Sequence, residues 1–121
     1  MTVEAFRINS FIRGIRTHRD VAVLFSTGDS VYMDGKGWEP DNDREPVFSY
    51  TGEGLRGDQA LKGGNLFLKN RVGKKVYLFV RRRPNEYVFH GQVIVKGVEK
   101  AREDDADGMD RMVYRFILSK V

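Results

Sequence analysis

The chain contains no cysteine, which excludes a disulfide framework and a cysteine metal site. Its two histidines, His18 and His90, lie at neither the spacing of a metal site nor that of a nucleophile and its base. No HNH cluster and no acid–acid–lysine nuclease pattern is visible. These absences predict a protein that is not an enzyme and has no catalytic residues, no bound metal and no cofactor.

Long apolar runs are also missing. No stretch approaches the about 20 apolar residues of a membrane helix, and residues 1–9 lack the apolar core of a signal peptide. We therefore expect a soluble, cytoplasmic protein that does not bind membranes. With 121 residues, 13 glycines and 40% hydrophobic content, the chain is expected to form a single domain over residues 1–121, monomeric when isolated.

Acidic residues are absent between Asp58 and Glu86, although the net charge of the whole chain is only +4. Residues 1–60 carry 7 basic and 10 acidic side chains, whereas residues 61–121 carry 14 basic and 7 acidic ones. A basic stripe of this kind is typical of a phosphate-binding face, although a charge run by itself is more often a solvated surface. The candidate phosphate contacts are Arg56, Lys62, Lys74, Lys75, Arg81, Arg82 and Arg83.

Strand signals dominate the rest of the chain. Apolar, β-branched and aromatic runs predict strands at residues 21–25, 76–80, 87–95 and 112–118, with the second and third joined in a hairpin by a turn at 81–86. One short helix is predicted over residues 65–71. The acidic segment 103–110 is predicted to be a solvated loop, because no glutamate closes the spacing of a calcium-binding loop.

A set of residues at definite spacings lies between positions 38 and 68. The set comprises Trp38, Asp41, Tyr50-Thr51-Gly52, Asp58-Gln59, Leu61, Asn65 and Leu68. No single member is specific, but their joint spacing resembles the SET- and RING-associated (SRA) domain family, whose members flip a modified cytosine out of DNA. The resemblance implies a mainly β (α+β) fold, a twisted and partly closed β-barrel or crescent of the SRA/PUA-like type with one or two short helices.

The resemblance also implies a function, which is binding of double-stranded DNA that contains 5-methylcytosine or 5-hydroxymethylcytosine. Extruding a base from the stack costs a few kcal/mol, and stacking on aromatic side chains returns about 1–3 kcal/mol per base. Trp38 and Tyr50 are the candidate stacking pair, and Asp41 is the candidate acceptor for the cytosine N4 amine. The turn Thr51-Gly52-Glu53 completes the predicted base-binding pocket, because its glycine allows close approach of the backbone.

Several alternatives remain open at this stage. Asp58-Gln59 is interpreted as architecture of the pocket floor, with Asp58 as a helix N-cap.

The chain also lacks the long insertion that reads CpG context in eukaryotic members, so that specificity is not expected here. The Trp38 form resembles bacterial SRA-like modules that are fused to nucleases in modification-dependent restriction. The rival functions are a PUA-like module reading RNA or another DNA modification, and a protein-interaction domain.

Overall fold

The computed structural model describes residues 4–7, 14–26, 38–40, 46–83 and 86–121. This part of the chain contains eight strands and one helix. The strands are β1 (Glu4–Arg7), β2 (Gly14–His18), β3 (Val21–Ser26), β4 (Trp38–Pro40), β5 (Pro46–Thr51), β6 (Lys75–Arg83), β7 (Glu86–Asp104) and β8 (Asp110–Lys120), and helix α1 spans Gly63–Lys69.

The strands form one curled sheet in the order β2-β3-β6-β7-β8-β5-β4, with β1 paired to β7. The β3–β6 pair is parallel, and the other described pairs are antiparallel. The sheet curves into a half-barrel of the SRA/PUA-like type, which confirms the predicted fold class. Within the described ranges, no helix has the length and apolar character needed to span a bilayer.

The core lies on one face of the curved sheet. Every second residue of β3 is fully covered, beginning with Ala22 and Leu24, and the same alternation brings Val76 and Leu78 of β6 beside them. Helix α1 closes this face by inserting Leu68, which is completely buried. Further core residues from the remaining strands are Ile15, Phe48, Tyr50, Val93, Val95, Tyr114, Phe116 and Leu118.

The predicted elements are found with shifted ends. Residues 81–83 extend β6 instead of forming a turn, and Pro84 and Asn85 of the predicted turn lie outside the described residues. Residues 103–104 belong to β7, and the turn before β8 takes up residues 105–109. The predicted helix begins two residues early, at Gly63, and its N-cap is Lys62, which makes no side-chain capping bond.

The predicted N-cap role of Asp58 is therefore wrong. Its carboxylate Oδ1 accepts a hydrogen bond from the backbone N–H of Met112 in β8, at 2.8 Å. Capping requires the side chain to lie within reach of the first helical turn, and Asp58 precedes Gly63 by a non-helical segment. The carboxylate instead ties that segment to the last strand.

Candidate nucleic-acid interface

The two candidate stacking residues lie on adjacent strands. Trp38 in β4 pairs with Phe48 in β5, and Tyr50 follows two residues later on β5. The side chain of Tyr50 is buried in the core, and its hydroxyl donates a hydrogen bond to the carbonyl of Phe25 at 3.1 Å. Asp41, the candidate acceptor for the base, lies outside the described residues.

The segment after Tyr50 leaves the sheet as a loop that is fixed by side chains. Thr51 is the last residue of β5 and is buried, and the N–H of Gly52 donates to the carbonyl of Tyr114 at 2.8 Å. Residues 52–57, which we call the pocket loop, then cross the end of β8 and lead towards α1. This loop occupies the place in the sequence where eukaryotic members carry their longer insertion.

Asn65 in the first turn of α1 holds the pocket loop from one side. Its Oδ1 accepts from the N–H of Glu53 at 2.7 Å, and its Nδ2 donates to the carbonyls of Glu53 and Ala60, both at 3.0 Å. Glu53 completes the exchange, because its Oε1 accepts from the N–H of Gly64 at 3.0 Å. The buried Asn65 amide therefore makes two hydrogen bonds to the pocket loop and a third to Ala60, between the loop and the helix.

Gln59 holds the loop from the opposite side. Its Nε2 donates to the carbonyl of Gly52 at 2.6 Å, and its Oε1 accepts from the N–H of Tyr114 at 2.9 Å. The side chain is buried, so both bonds form away from solvent competition. With the contact of Asp58, this network agrees with the interpretation of Asp58-Gln59 as architecture.

Neighbouring side chains lie so close to Gly52 and Gly64 that there is no room for a Cβ atom at either position. A Cβ on Gly52 would lie 2.6 Å from Asn65 Oδ1 and 2.9 Å from Gln59 Oε1, in the side chains of the two residues that hold the loop. A Cβ on Gly64 would lie 2.6 Å from the Cβ of Ile15. Real Cβ atoms do not approach other atoms this closely. The two glycines are therefore part of the set of residues that holds the pocket loop, which we call the clamp and which also includes Asn65 and Gln59.

Arg111 is a loop-holding residue that the sequence patterns did not identify. Its guanidinium is almost completely buried, and Nη1 donates to the carbonyls of Gly54 at 2.5 Å and Gly57 at 3.3 Å. Its cross-strand neighbour is Glu103, which forms an ion pair with Arg115 at 2.7 Å. Burial raises the pKa of Glu103, and the two arginines oppose that rise only in part.

The far end of the pocket loop is docked onto the β7–β8 turn. The carboxylate of Asp105 accepts from the N–H of Gly57 at 3.0 Å, and the N–H of Ala106 donates to the carbonyl of Leu55 at 3.0 Å. Arg56 forms an exposed ion pair with Asp107 at 2.9 Å. The backbone donors, Gly57 and Met109 first, hold the pKa of Asp105 below its usual range.

A cavity of about 470 Å³ opens between the pocket loop and α1. Its lining includes Glu53, Arg56, Gln59, Lys62 and Asn65. Of the predicted pocket residues that lie in the described ranges, Glu53 faces this cavity, whereas Tyr50 is enclosed in the core. Glu53 is also engaged with Gly64, so its role in this structure is to hold the loop.

The predicted phosphate contacts differ in whether an acidic side chain pairs with them. Arg82 and Arg83 both pair with Glu86, and Arg56 pairs with Asp107, so an acid partly neutralises each of these three. The ammonium of Lys74 lies 4.4 Å from the ring centre of Phe67. Lys62 and Lys75 are exposed, and Arg81 is half-buried.

Comparison with known proteins identifies the family. A sequence model described as "ScoMcrA-like, SRA domain" matches residues 9–121. The chain belongs to this SRA family. No curated protein matches the chain.

Solved structures show the same fold. The sulfur-binding and SRA domains of ScoMcrA, complexed with phosphorothioated DNA, are 21% identical with a TM-score of 0.78 over 100% of this chain and 40% of that one. The Type IV phosphorothioation-dependent restriction endonuclease ScoMcrA is 22% identical, with a TM-score of 0.68 over 83% of this chain and 19% of that one. This chain thus spans less than half the length of either ScoMcrA chain.

A second SRA domain is also similar. The SRA domain of SUVH5 in complex with fully methylated CG DNA is 27% identical, with a TM-score of 0.65 over 91% of this chain and 74% of that one. The ScoMcrA fragment is thus in complex with phosphorothioated DNA, and the SUVH5 domain with fully methylated CG DNA.

Proposed function

We propose that residues 1–121 form a single reader domain for double-stranded DNA that contains modified cytosine, either 5-methylcytosine or 5-hydroxymethylcytosine. The base is flipped between Trp38 and Tyr50, which requires one face of the buried Tyr50 ring to become uncovered on binding, and the carboxylate of Asp41 accepts from its N4 amine. The domain performs no catalysis of its own. It serves as the specificity module of a modification-dependent restriction system, in the same chain as a nuclease or associated with one.

The observation that carries this proposal is the motif spacing in a chain of the SRA family, with Trp38 and Tyr50 on adjacent strands. The pocket loop directly after Tyr50 is held by Asn65, Gln59 and Arg111, so its backbone is arranged before DNA arrives. A preorganised loop avoids the entropic cost of ordering on binding. The ScoMcrA relatives make a phosphorothioate the alternative modification to test.

The buried position of Tyr50 determines which variants are informative. Tyr50→Ala would leave a cavity in the core and destabilise the fold, so we choose Trp38→Ala for the loss of a base stack. This variant should weaken binding to modified DNA by about 1–3 kcal/mol and affect unmodified DNA much less. Tyr50→Phe is the matched control, because it keeps the ring and removes the hydroxyl that donates to Phe25.

The ligand panel consists of matched duplexes with cytosine, 5-methylcytosine, 5-hydroxymethylcytosine or a phosphorothioate linkage, and RNA of the same sequence. Burial of one methyl group is worth about 0.8 kcal/mol, so methyl contact alone predicts a preference of several-fold. Asp41→Asn should reduce discrimination between bases and leave the salt dependence unchanged. Equal affinity for methylated and unmodified duplexes would refute the methyl pocket, and preference for RNA would favour the PUA-like alternative.

A further inference from the structure

The turn between β2 and β3 contains a strained arginine. The turn has two residues, Arg19 and Asp20, and Arg19 has a φ of +54°. It is the one non-glycine residue with positive φ in the described ranges. The Cβ of an L-residue is disfavoured in this conformation, and the first position of such a turn normally carries glycine or asparagine.

No contact within the described structure accounts for the arginine. The side chain of Arg19 is exposed and forms neither an ion pair nor a hydrogen bond with another described residue, and the same holds for Arg16 on β2. A glycine would satisfy the turn better than arginine does. A strained residue without a partner in the part of the chain that the structure describes points to a role outside the fold.

The charged surroundings of Arg19 indicate the chemistry of its partner. The N–H of Lys75 donates to the carbonyl of Asp20 at 2.8 Å, which joins this turn to the turn that follows α1. Arg16 lies opposite Val23, and Lys75 lies opposite Val21. Because Val21 and Val23 are two residues apart on β3, Arg16 and Lys75 project from the same face of the sheet.

Lys74 adds a further positive charge near the hydrogen bond that joins the two turns. Its ammonium is held over the ring of Phe67. Asp20, which is exposed in the β2–β3 turn, is the one acidic residue in segments 14–26 and 72–76, which also carry Arg16, Arg19, Lys74 and Lys75. Excess positive charge spread over two linked turns matches the spaced phosphates of a nucleic-acid backbone.

We propose that Arg16 of β2 and Arg19 of the β2–β3 turn join Lys74 and Lys75 in one surface that binds the phosphates of duplex DNA. In this proposal, the contact with phosphate is the reason for an arginine in this strained conformation. The inference rests on the proposed function and adds the β2–β3 turn to the DNA-binding face. Phosphate contacts position the protein without reading sequence, so this surface acts equally on modified and unmodified duplexes.

Arg19→Gly tests the inference, because it relieves the strain and removes the charge together. Its thermal midpoint should stay unchanged or rise. Its affinity for a 20-base-pair duplex, with or without one 5-methylcytosine, should fall about eightfold at 0.1 M salt, and the slope of log affinity against log salt should flatten by about 0.9. With Arg16→Gln added, the slope should flatten by about 1.8.

Two variants serve as controls. Arg19→Lys keeps the charge and should bind as the parent does. Arg102→Gln removes an exposed arginine that is already engaged with Asp110 on the β7–β8 hairpin, and it should leave the salt slope unchanged.

Three outcomes would overturn the inference. If Arg19→Gly lowers the thermal midpoint and leaves the salt slope unchanged, Arg19 has a structural role. If the parent prefers methylated DNA and Arg19→Gly binds both duplexes as tightly as the parent, this surface is wrong and the proposed function stands. If the parent binds neither duplex, both proposals fail.

Discussion

Asn65→Ala is the substitution that most directly tests the clamp around the pocket loop. It removes three hydrogen bonds, which leaves the N–H and C=O of Glu53 and the C=O of Ala60 without their partner. An unsatisfied buried group costs about 1–3 kcal/mol. Because the three groups are only partly buried, we take about 1 kcal/mol for each, near the lower end of that range.

The expected net effect is smaller than that sum. Alanine is a better helix former than asparagine by about 0.5 kcal/mol, which offsets part of the loss in α1. We therefore expect the free energy of unfolding to fall by about 2–3 kcal/mol. With a urea m-value of about 1.5 kcal/mol/M, the unfolding midpoint should move down by about 1.5 M.

Asn70→Ala provides the matched control in the same helix. Asn70 is exposed at the C-cap of α1, so its replacement should change stability by less than about 0.5 kcal/mol. Urea titrations followed by tryptophan fluorescence and by circular dichroism measure both variants. Equal midpoint shifts for Asn65→Ala and Asn70→Ala, or a shift below about 0.5 M for Asn65→Ala, would refute the clamp.

Two further predictions concern packing and titration. Gly64→Ala should lower the free energy of unfolding by about 1–3 kcal/mol, because the new methyl group meets Ile15. Gly97→Ala is the control and should change stability little, because its methyl group meets no atom within 4 Å. Equal losses of stability for the two variants in thermal melts would contradict this prediction. Burial, and secondarily Lys120, lower the pKa of His90, so unfolded His90 binds protons more readily and stability should fall as the pH drops below about 6.5. His90→Gln should weaken this dependence in melts from pH 7.5 to 5, and an unchanged profile would count against it.

The sequence predicted the strands well because their hydrophobic patterns match their burial. Residues 21–25 and 76–79 alternate between covered and half-covered positions in the structure, as strands with one face on the core should. The family spacing also identified Gln59 and Asn65. Their actual contacts could not be predicted, since these involve backbone groups of β8 and the pocket loop that only the fold brings together.

Arg111 shows where sequence reasoning fails. It lies on the face of β8 opposite Phe116 and Leu118, where an arginine is ordinarily solvated. It is buried because the carbonyls of Gly54 and Gly57 lie against its guanidinium, and no local pattern encodes that contact. The N-cap prediction for Asp58 was wrong for a similar reason, because its carboxylate bonds to the backbone of a distant strand instead of to a helix.

The position of β8 in the sheet has a consequence for the order of events during synthesis. The groups that hold the pocket loop include the N–H of Tyr114 and the side chain of Arg111, which follow their partners by 55 and 57 positions. The motif is synthesised before these groups, so the loop gains these bonds only when the last strand, β8, takes its place between β5 and β7. A nascent chain that stops before Arg111 therefore carries the whole motif without the bonds that tie the pocket loop and Gln59 to β8.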